Sequence, residues 1–199
     1  MPAVLVVCES KDGKLRKISR EALSIGSKLA RSAGGELIAF VTDAVAAPET
    51  GSYGAQKAYV AKLDSYTTET HTSALTQVIK DANPAVVLVP GSSNGRDLAP
   101  RLAARLGVGV ASDVSSLEWT EGKLRARRPV YSGKAFATVD VTGTPAIATT
   151  RANAFPVEET GGGSVEIVEV TLQPVESRAR LVETKIPETG EMLIGEADI

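Results

Sequence analysis

Three short, almost wholly apolar runs are the feature that most constrains the fold of this chain. They cover residues 3–7, 37–41 and 85–89. Continuous apolar runs of this length are typical of strands that are buried on both faces. Between them, apolar residues recur at helical spacing, and glycines such as Gly34 and Gly107 stand where the helical pattern stops. Strands that alternate with helices through short joints predict a parallel sheet.

The pattern changes after Gly107. The helix that ends there is predicted over residues 97–106, which places Pro100 in its first turn. Short alternating segments follow at 111–114, 117–119, 124–127, 135–141 and 146–150. Glycine at the turns between such segments favours antiparallel hairpins. We therefore expect an α/β fold over residues 1–156, a Rossmann-like three-layer sandwich with a parallel core sheet and added antiparallel strands.

Residues 157–199 are predicted to form a separate arm. Pro156 and the three glycines at 161–163 predict a hinge, and alternating apolar residues at 165–170 and 179–186 predict two strands. The net charge of −2 divides unevenly, because residues 1–156 carry +5 and the arm carries −7. An acidic extension of this kind is typical of a solvated or partner-binding segment.

Composition excludes several classes of function. The first segment is only mildly basic, and the chain has three Phe and four Tyr, so we expect no nucleic-acid surface. No apolar run approaches the roughly 20 residues that span a bilayer, so we expect no membrane insertion. One cysteine and one histidine exclude most zinc sites and argue against a His-dependent triad. The lone cysteine and an amino terminus without a basic signal region predict a cytoplasmic or otherwise intracellular location.

Cys8 and His71 are the two side chains that most often carry chemistry. Cys8 follows the first predicted strand, at the edge where open α/β sheets place ligands. A reactive thiol needs a cationic neighbour, so the sequence favours a small buried apolar role for Cys8. His71 falls on the polar side of a predicted helix over residues 67–81, and we expect it to be solvated.

The segment from Pro90 to Asp97 joins a buried strand to a helix and is the most informative loop. Such a joint offers free backbone N–H groups to a phosphate, but the loop matches neither a Walker motif nor GxGxxG. The competing interpretation is a capped turn with Asn94 as the helix N-cap. If the loop binds phosphate, the candidate residues are Gly91, Ser92, Asn94, Gly95 and Arg96.

Five cations fall on or beside one predicted hairpin, and strand alternation puts two of them, Arg125 and Arg127, on one face. They indicate either a solvated strand face or a docking surface. The five residues are Lys123, Arg125, Arg127, Arg128 and Lys134.

Four segments of the chain closely resemble the alpha subunit of electron-transfer flavoprotein, and the middle third is the most specific. They are Asn94–Leu106, Ala111–Val114, Arg128–Ala135 and Arg151–Phe155. The resemblance implies a first domain with an adenine-nucleotide-hydrolase-like fold. It also implies a heterodimer with a beta subunit, one FAD, and electron transfer from dehydrogenases to an acceptor.

In that family the FAD is held mainly by a C-terminal domain that opens with a Ser-Gly-Gly-Arg-Gly motif, which this sequence lacks. The resemblance therefore implies a docking domain that carries no FAD by itself, is colourless and catalyses no reaction. Residues 157–199 would then lead toward the flavin domain, with 197–199 as the approach to its first strand.

Two alternatives stay open at this point. One is a nucleotide-binding module of the universal-stress-protein type that uses the Gly91–Asp97 loop around a phosphate. The other is an enzyme that uses Cys8, which the missing base makes the weakest.

Overall fold

The computed structural model describes residues 2–185. A 3₁₀ turn occupies Ala47–Tyr53. In chain order the strands and helices are β1 Val4–Cys8, β2 Ser10–Lys11, β3 Lys14–Leu15, α1 Lys17–Ser32, β4 Leu37–Val41, β5 Lys57–Val60, α2 Thr68–Ala82, β6 Val86–Pro90, α3 Ser93–Leu106, β7 Val110–Val114, β8 Ser116–Thr120, β9 Lys123–Val130, β10 Ala135–Val141, β11 Ala146–Thr150 and β12 Glu166–Glu169.

Seven strands form one parallel sheet in the order β12-β5-β4-β1-β6-β11-β7. At its centre, Val4 of β1 pairs with Leu37 of β4 on one side and with Val86 of β6 on the other. The three apolar runs therefore lie side by side, and the predicted parallel core is confirmed.

Helices cover both faces of this sheet. Successive residues of a strand point to opposite faces, so Val4 and Val6 pack into the core beneath α1. Leu5 and Val7 pack into the core beneath α2 and α3 on the other side. The result is the predicted three-layer sandwich.

The antiparallel part is smaller than the sequence pattern predicted. Of the strands described after Gly107, β8, β9 and β10 form an antiparallel sheet, in the order β10-β9-β8. The prediction was wrong for 111–114 and 146–150, because β7 and β11 pair in parallel within the main sheet. All five residues of β11 are buried, as in a strand covered on both faces. The three-stranded sheet is thus an insertion between two neighbouring parallel strands.

Helix α3 starts earlier than predicted. Its first helical residue is Ser93, so Pro100 lies about two turns inside the helix and not in the first turn. A proline there lacks the N–H that would bond to the carbonyl four residues before it. The helix nevertheless continues to Leu106 and ends at Gly107, whose left-handed backbone closes it.

The chain between Arg151 and Leu172, here called the strap, crosses α1 before it joins the far edge of the sheet. The Asn153 amide donates to Glu21 at 2.9 Å, and the Glu158 amide donates to the Ser24 hydroxyl at 2.9 Å. Both acceptors lie on α1 and are buried. These bonds fasten the strap to the α1 layer.

The strap ends in β12, which pairs in parallel with β5, so the strand predicted at 165–170 is confirmed. The strand predicted at 179–186 is wrong over the part that the structure describes, since residues 179–185 have no regular structure. Leu181 and Val182 there are exposed, and no described strand pairs with them. Residue 186 and the predicted break at 187–190 lie outside the described residues. The proposed boundary at residue 156 stays a prediction.

None of the helices within residues 2–185 combines the length and the apolar composition that a membrane span requires.

Candidate functional site

The strand order reverses between β1 and β6, which is where open parallel sheets form a crevice for ligands. A cleft of about 480 Å³ opens there, at the carboxyl ends of the strands. Its lining mixes polar and ionisable groups with apolar ones. Its ionisable residues include Cys8, Glu9, Arg16, Tyr66 and His71.

The two glycines of the 90–97 loop are required by close backbone packing. A Cβ on Gly91 would lie 2.5 Å from the carbonyl oxygen of Thr150, and one on Gly95 would lie 1.8 Å from that of Pro90. The Gly91 amide also donates to the Thr150 carbonyl at 2.8 Å. Close backbone packing therefore explains why both positions hold glycine, and a bound ligand is not needed for that explanation.

Ser92 is the N-cap of α3, and its hydroxyl oxygen accepts from the Gly95 amide at 2.9 Å. The prediction of Asn94 as the cap was wrong. Asn94 lies in the first turn, where its backbone carbonyl accepts from the Tyr66 hydroxyl at 3.1 Å. Arg96 is exposed and, together with Gly91, Ser92 and Asn94, lines a second depression beside the start of α1.

A carboxylate already lies at the N-terminus of α3. The Ser92 hydroxyl donates to Glu9, and the second carboxylate oxygen of Glu9 accepts from Arg16 at 3.1 Å. The side chain of Glu9 is only 14% exposed. The positive end of a helix favours an anion, and Glu9 supplies that anion from within the chain. Nothing in the sequence pattern singled out Glu9, although it directly follows β1.

Cys8 is buried at the base of the cleft. Burial raises the pKa of its thiol far above the usual range, and the carboxylates of Glu9 and Glu49 raise it further. A thiol in such surroundings stays protonated and is a poor nucleophile. This environment agrees with the small apolar role that the sequence favoured.

His71 also lines the cleft, and the prediction that it is solvated was wrong, since it is only 9% exposed. Burial lowers the pKa of His71. Its ring lies 4.7 Å from the ring of Tyr66, whose hydroxyl donates to Asp97 at 2.7 Å. The Thr68 hydroxyl also donates to Asp97, and these two donors hold the pKa of its carboxyl below the usual range. The cluster ties α2 to α3 at the rim of the cleft.

The second candidate surface is the three-stranded sheet. On its outer face, the Arg125 guanidinium donates to Asp140 at 2.7 Å and lies 3.8 Å from Glu118. The guanidinium carbon of Arg127 lies 4.1 Å above the Phe136 ring. Arg125 and Arg127 therefore share a face as predicted, and each has a partner within the sheet.

The turn between β9 and β10 is strained. Tyr131 and Ser132 have φ of 52° and 54°, and the Gly133 amide donates to the Val130 carbonyl at 3.1 Å. A turn with two central residues of positive φ is normally built with Asn and Gly. The left-handed region costs other residues about 1–2 kcal/mol each. The hairpin thus presents Tyr131, which is 81% exposed, at a conformational cost.

Fold and site together define a Rossmann-like α/β domain with an inserted antiparallel sheet. The family model of the Electron transfer flavoprotein domain matches residues 4–175. The chain therefore belongs to the electron transfer flavoprotein domain family.

Curated relatives in this family include two alpha subunits and one FixB protein. The Electron transfer flavoprotein subunit alpha of Bacillus subtilis is 36% identical over 178 residues, covering 85% of this chain and 54% of that protein. That of Syntrophomonas wolfei is 34% identical over 170 residues, covering 84% and 53%. Protein FixB of Clostridium saccharobutylicum is 33% identical over 190 residues, covering 90% and 57%. The chain thus spans about half the length of the curated relatives it matches.

The family name implies a flavin, and the cleft is the place where this chain could be expected to hold one. Its chemistry does not fit a flavin diphosphate. Glu9 lies where the helix N-terminus would contact the phosphates, and Asp43 and Asp64 also line the cleft. The Arg16 guanidinium is paired with the Glu9 carboxylate at 3.1 Å. A diphosphate would therefore meet like charge at its best anchoring point.

Proposed function

We propose that this chain is the N-terminal domain of an electron-transfer flavoprotein alpha subunit. In this proposal it docks with a beta subunit in a complex that carries electrons from dehydrogenases to an acceptor through FAD. The family match over residues 4–175 and the alpha-subunit relatives support the assignment. The chain itself then catalyses no reaction, and its contribution is the surface that it offers to its partner.

The docking proposal rests on an apolar face of β10 that extends past the body of the domain. Residues that lie directly opposite each other in an antiparallel pair share a face. Val139 lies opposite Ala126, and Val141 lies opposite Leu124. Ala126 and Leu124 are fully buried, yet Val139 is 38% exposed. The inner face of the sheet therefore continues past the body of the domain.

β10 is also an edge strand. It pairs with β9 on one side, and no strand within residues 2–185 pairs with the other. An open edge beside an apolar face is a template for a strand or hairpin from another chain. On the opposite, outer face of β10, the Phe136 ring beneath Arg127 is 52% exposed. This combination favours a protein partner over a small molecule.

A charge placed on the apolar face of β10 tests the proposal. Val139→Lys should weaken association with the cognate beta subunit about tenfold or more, because an ammonium would be desolvated at the interface. The matched control is Val157→Lys on the strap, since Val157 has a similar exposure of 41% and lies away from the hairpin. Association is measured by titration calorimetry, with circular dichroism to verify that each variant is folded.

The control should bind as the unmodified chain does. Equal binding by both variants would remove β10 from the interface. Failure of the unmodified chain to bind the beta subunit would refute the docking function itself.

The alternative, a nucleotide-binding module that uses the Gly91–Asp97 loop, finds less support. The Ser92 hydroxyl already donates to Glu9 and accepts from the Gly95 amide, and the two glycines are explained by backbone packing. Phosphate binding by this loop stays a prediction that a titration with AMP can decide.

A further inference from the structure

We propose that the groove at the tip of the β9–β10 hairpin receives an acidic segment of the second subunit, with the Tyr131 ring as its anchor. This inference rests on the docking function proposed above, and it identifies a second contact beyond the apolar face of β10. The groove has a volume of about 470 Å³. Its lining includes Asp113, Arg128, Tyr131, Ser132 and Arg151.

Backbone strain is concentrated in this groove. Among the described residues other than glycine, seven have a positive φ, and three of them, Asp113, Tyr131 and Ser132, line it. Bulky residues in this region of backbone space persist where the fold or a function requires them. Asparagine and glycine would build the same hairpin turn without strain. The choice of tyrosine and serine therefore points to a role outside the hairpin.

The charge of the groove indicates what it binds. Arg128 and Arg151 contribute two cations, and Asp113 contributes the single carboxylate, 3.6 Å from Arg151. Arg128 donates to the Ser112 hydroxyl at 3.3 Å, while its Nε is buried without a hydrogen-bond partner. Two guanidinium groups against one carboxylate leave the groove with a net positive charge, which fits a carboxylate that enters from another chain.

The tip is continuous with the apolar face of β10. Residues 131–134 turn directly into that strand, so a partner that covers Val139 lies within reach of the groove. Exposed tyrosines that lie next to apolar surface are typical anchors of interfaces. The occupant is therefore the second subunit itself, through a segment that carries Asp or Glu.

Tyr131→Gly separates strain from binding. Glycine accepts the positive φ, so the variant should melt about 2–4 °C higher than the unmodified chain. It should nevertheless bind the beta subunit about tenfold or more weakly, because the ring is gone. Glu121→Gly is the matched control. Glu121 has the same φ of 52° in the turn between β8 and β9, and it is exposed. This control should melt higher and bind normally.

Arg151→Gln tests the acidic occupant. Loss of one groove cation should make the association less sensitive to salt between about 50 and 300 mM, because fewer charge pairs are screened. Normal binding by Tyr131→Gly together with weak binding by Val139→Lys would overturn the groove contact and leave the β10 interface standing. Normal binding by both variants would overturn the contact and the docking surface together.

Discussion

At the residue scale, Glu9 determines what the central cleft can hold. Its carboxylate accepts from Ser92 at the start of α3 and from Arg16 at the start of α1. Side chains at the starts of two helices therefore hold one internal anion. A phosphate that enters the cleft would have to displace this carboxylate or lie beside it, and both options cost free energy.

Replacement of Glu9 by glutamine should increase the affinity of the cleft for phosphate. The amide keeps an oxygen that can accept from Ser92, while the charge that repels phosphate is gone. We expect the unmodified chain to bind AMP more weakly than about 1 mM, and Glu9→Gln to gain about tenfold. Calorimetric titration with AMP measures both.

Glu36→Gln, at an exposed position near the opposite end of the sheet, is the control and should change nothing. Micromolar AMP binding by the unmodified chain would contradict the role assigned to Glu9 and would promote the nucleotide-binding alternative.

At the scale of elements, the joint between β6 and α3 depends on one missing side chain. Gly95 has an ordinary φ, but its Cα faces the carbonyl of Pro90 so closely that a Cβ would lie 1.8 Å from that oxygen. Both the helix and the strand would have to move apart. Gly95→Ala should therefore destabilise the fold by about 2–4 kcal/mol in denaturant unfolding.

Gly109→Ala is the comparison for that experiment. No atom lies within 4 Å of the position where its Cβ would stand, and its φ is not positive. Stability within about 0.5 kcal/mol of the unmodified chain is expected there. A similar small effect at Gly95 would show that the joint relaxes and that the glycine is not structurally required.

Elements could be predicted from sequence where local pattern and tertiary environment agree. The runs 3–7, 37–41 and 85–89 are apolar because both of their faces are buried. The sequence pattern and the burial in the fold therefore indicate the same structure, a central strand. β11 was placed in the wrong sheet because its short run follows a hairpin. Its neighbours β6 and β7 are distant in sequence, and only the fold brings them beside it.

The sites were less predictable, for similar reasons. Ser92 and Asn94 are both good N-caps two residues apart, and only the position of the Pro90 carbonyl and Glu9 selects Ser92. His71 was predicted to be solvated because its sequence neighbours are polar threonines and a glutamate. In the fold, the Tyr66 ring lies against it and excludes water. The sequence of β10 has the alternation of an ordinary strand. It does not show that part of the inner face of β10 extends past the body of the domain.

At the scale of the whole molecule, the strap connects the two opposite sides of the main sheet. It leaves β11, which lies next to the edge strand β7, crosses α1 and returns as β12 at the opposite edge. Val170 then donates to the Val60 carbonyl at 2.9 Å, and the side chain of Gln77 donates to the Thr171 carbonyl at 2.9 Å. The acidic segment therefore divides into an anchored part and, after Leu172, an exposed one.

This division predicts where a protease cuts first. Residues 178–185 are exposed and have no regular structure, so a protease can bind them without unfolding the sheet. Arg151 lies at the start of the strap, where its amide donates to the Val114 carbonyl at 2.9 Å, and cleavage there requires local opening. Brief trypsin treatment should therefore cut after Arg178 and Arg180 well before Arg151, as mass spectrometry of the fragments will show.

The fragment that ends at Arg178 should keep the melting temperature of the intact chain, because it retains β12. Early cleavage after Arg151, or a large fall in melting temperature after the cut at Arg178, would show that the strap is not held as its hydrogen bonds indicate.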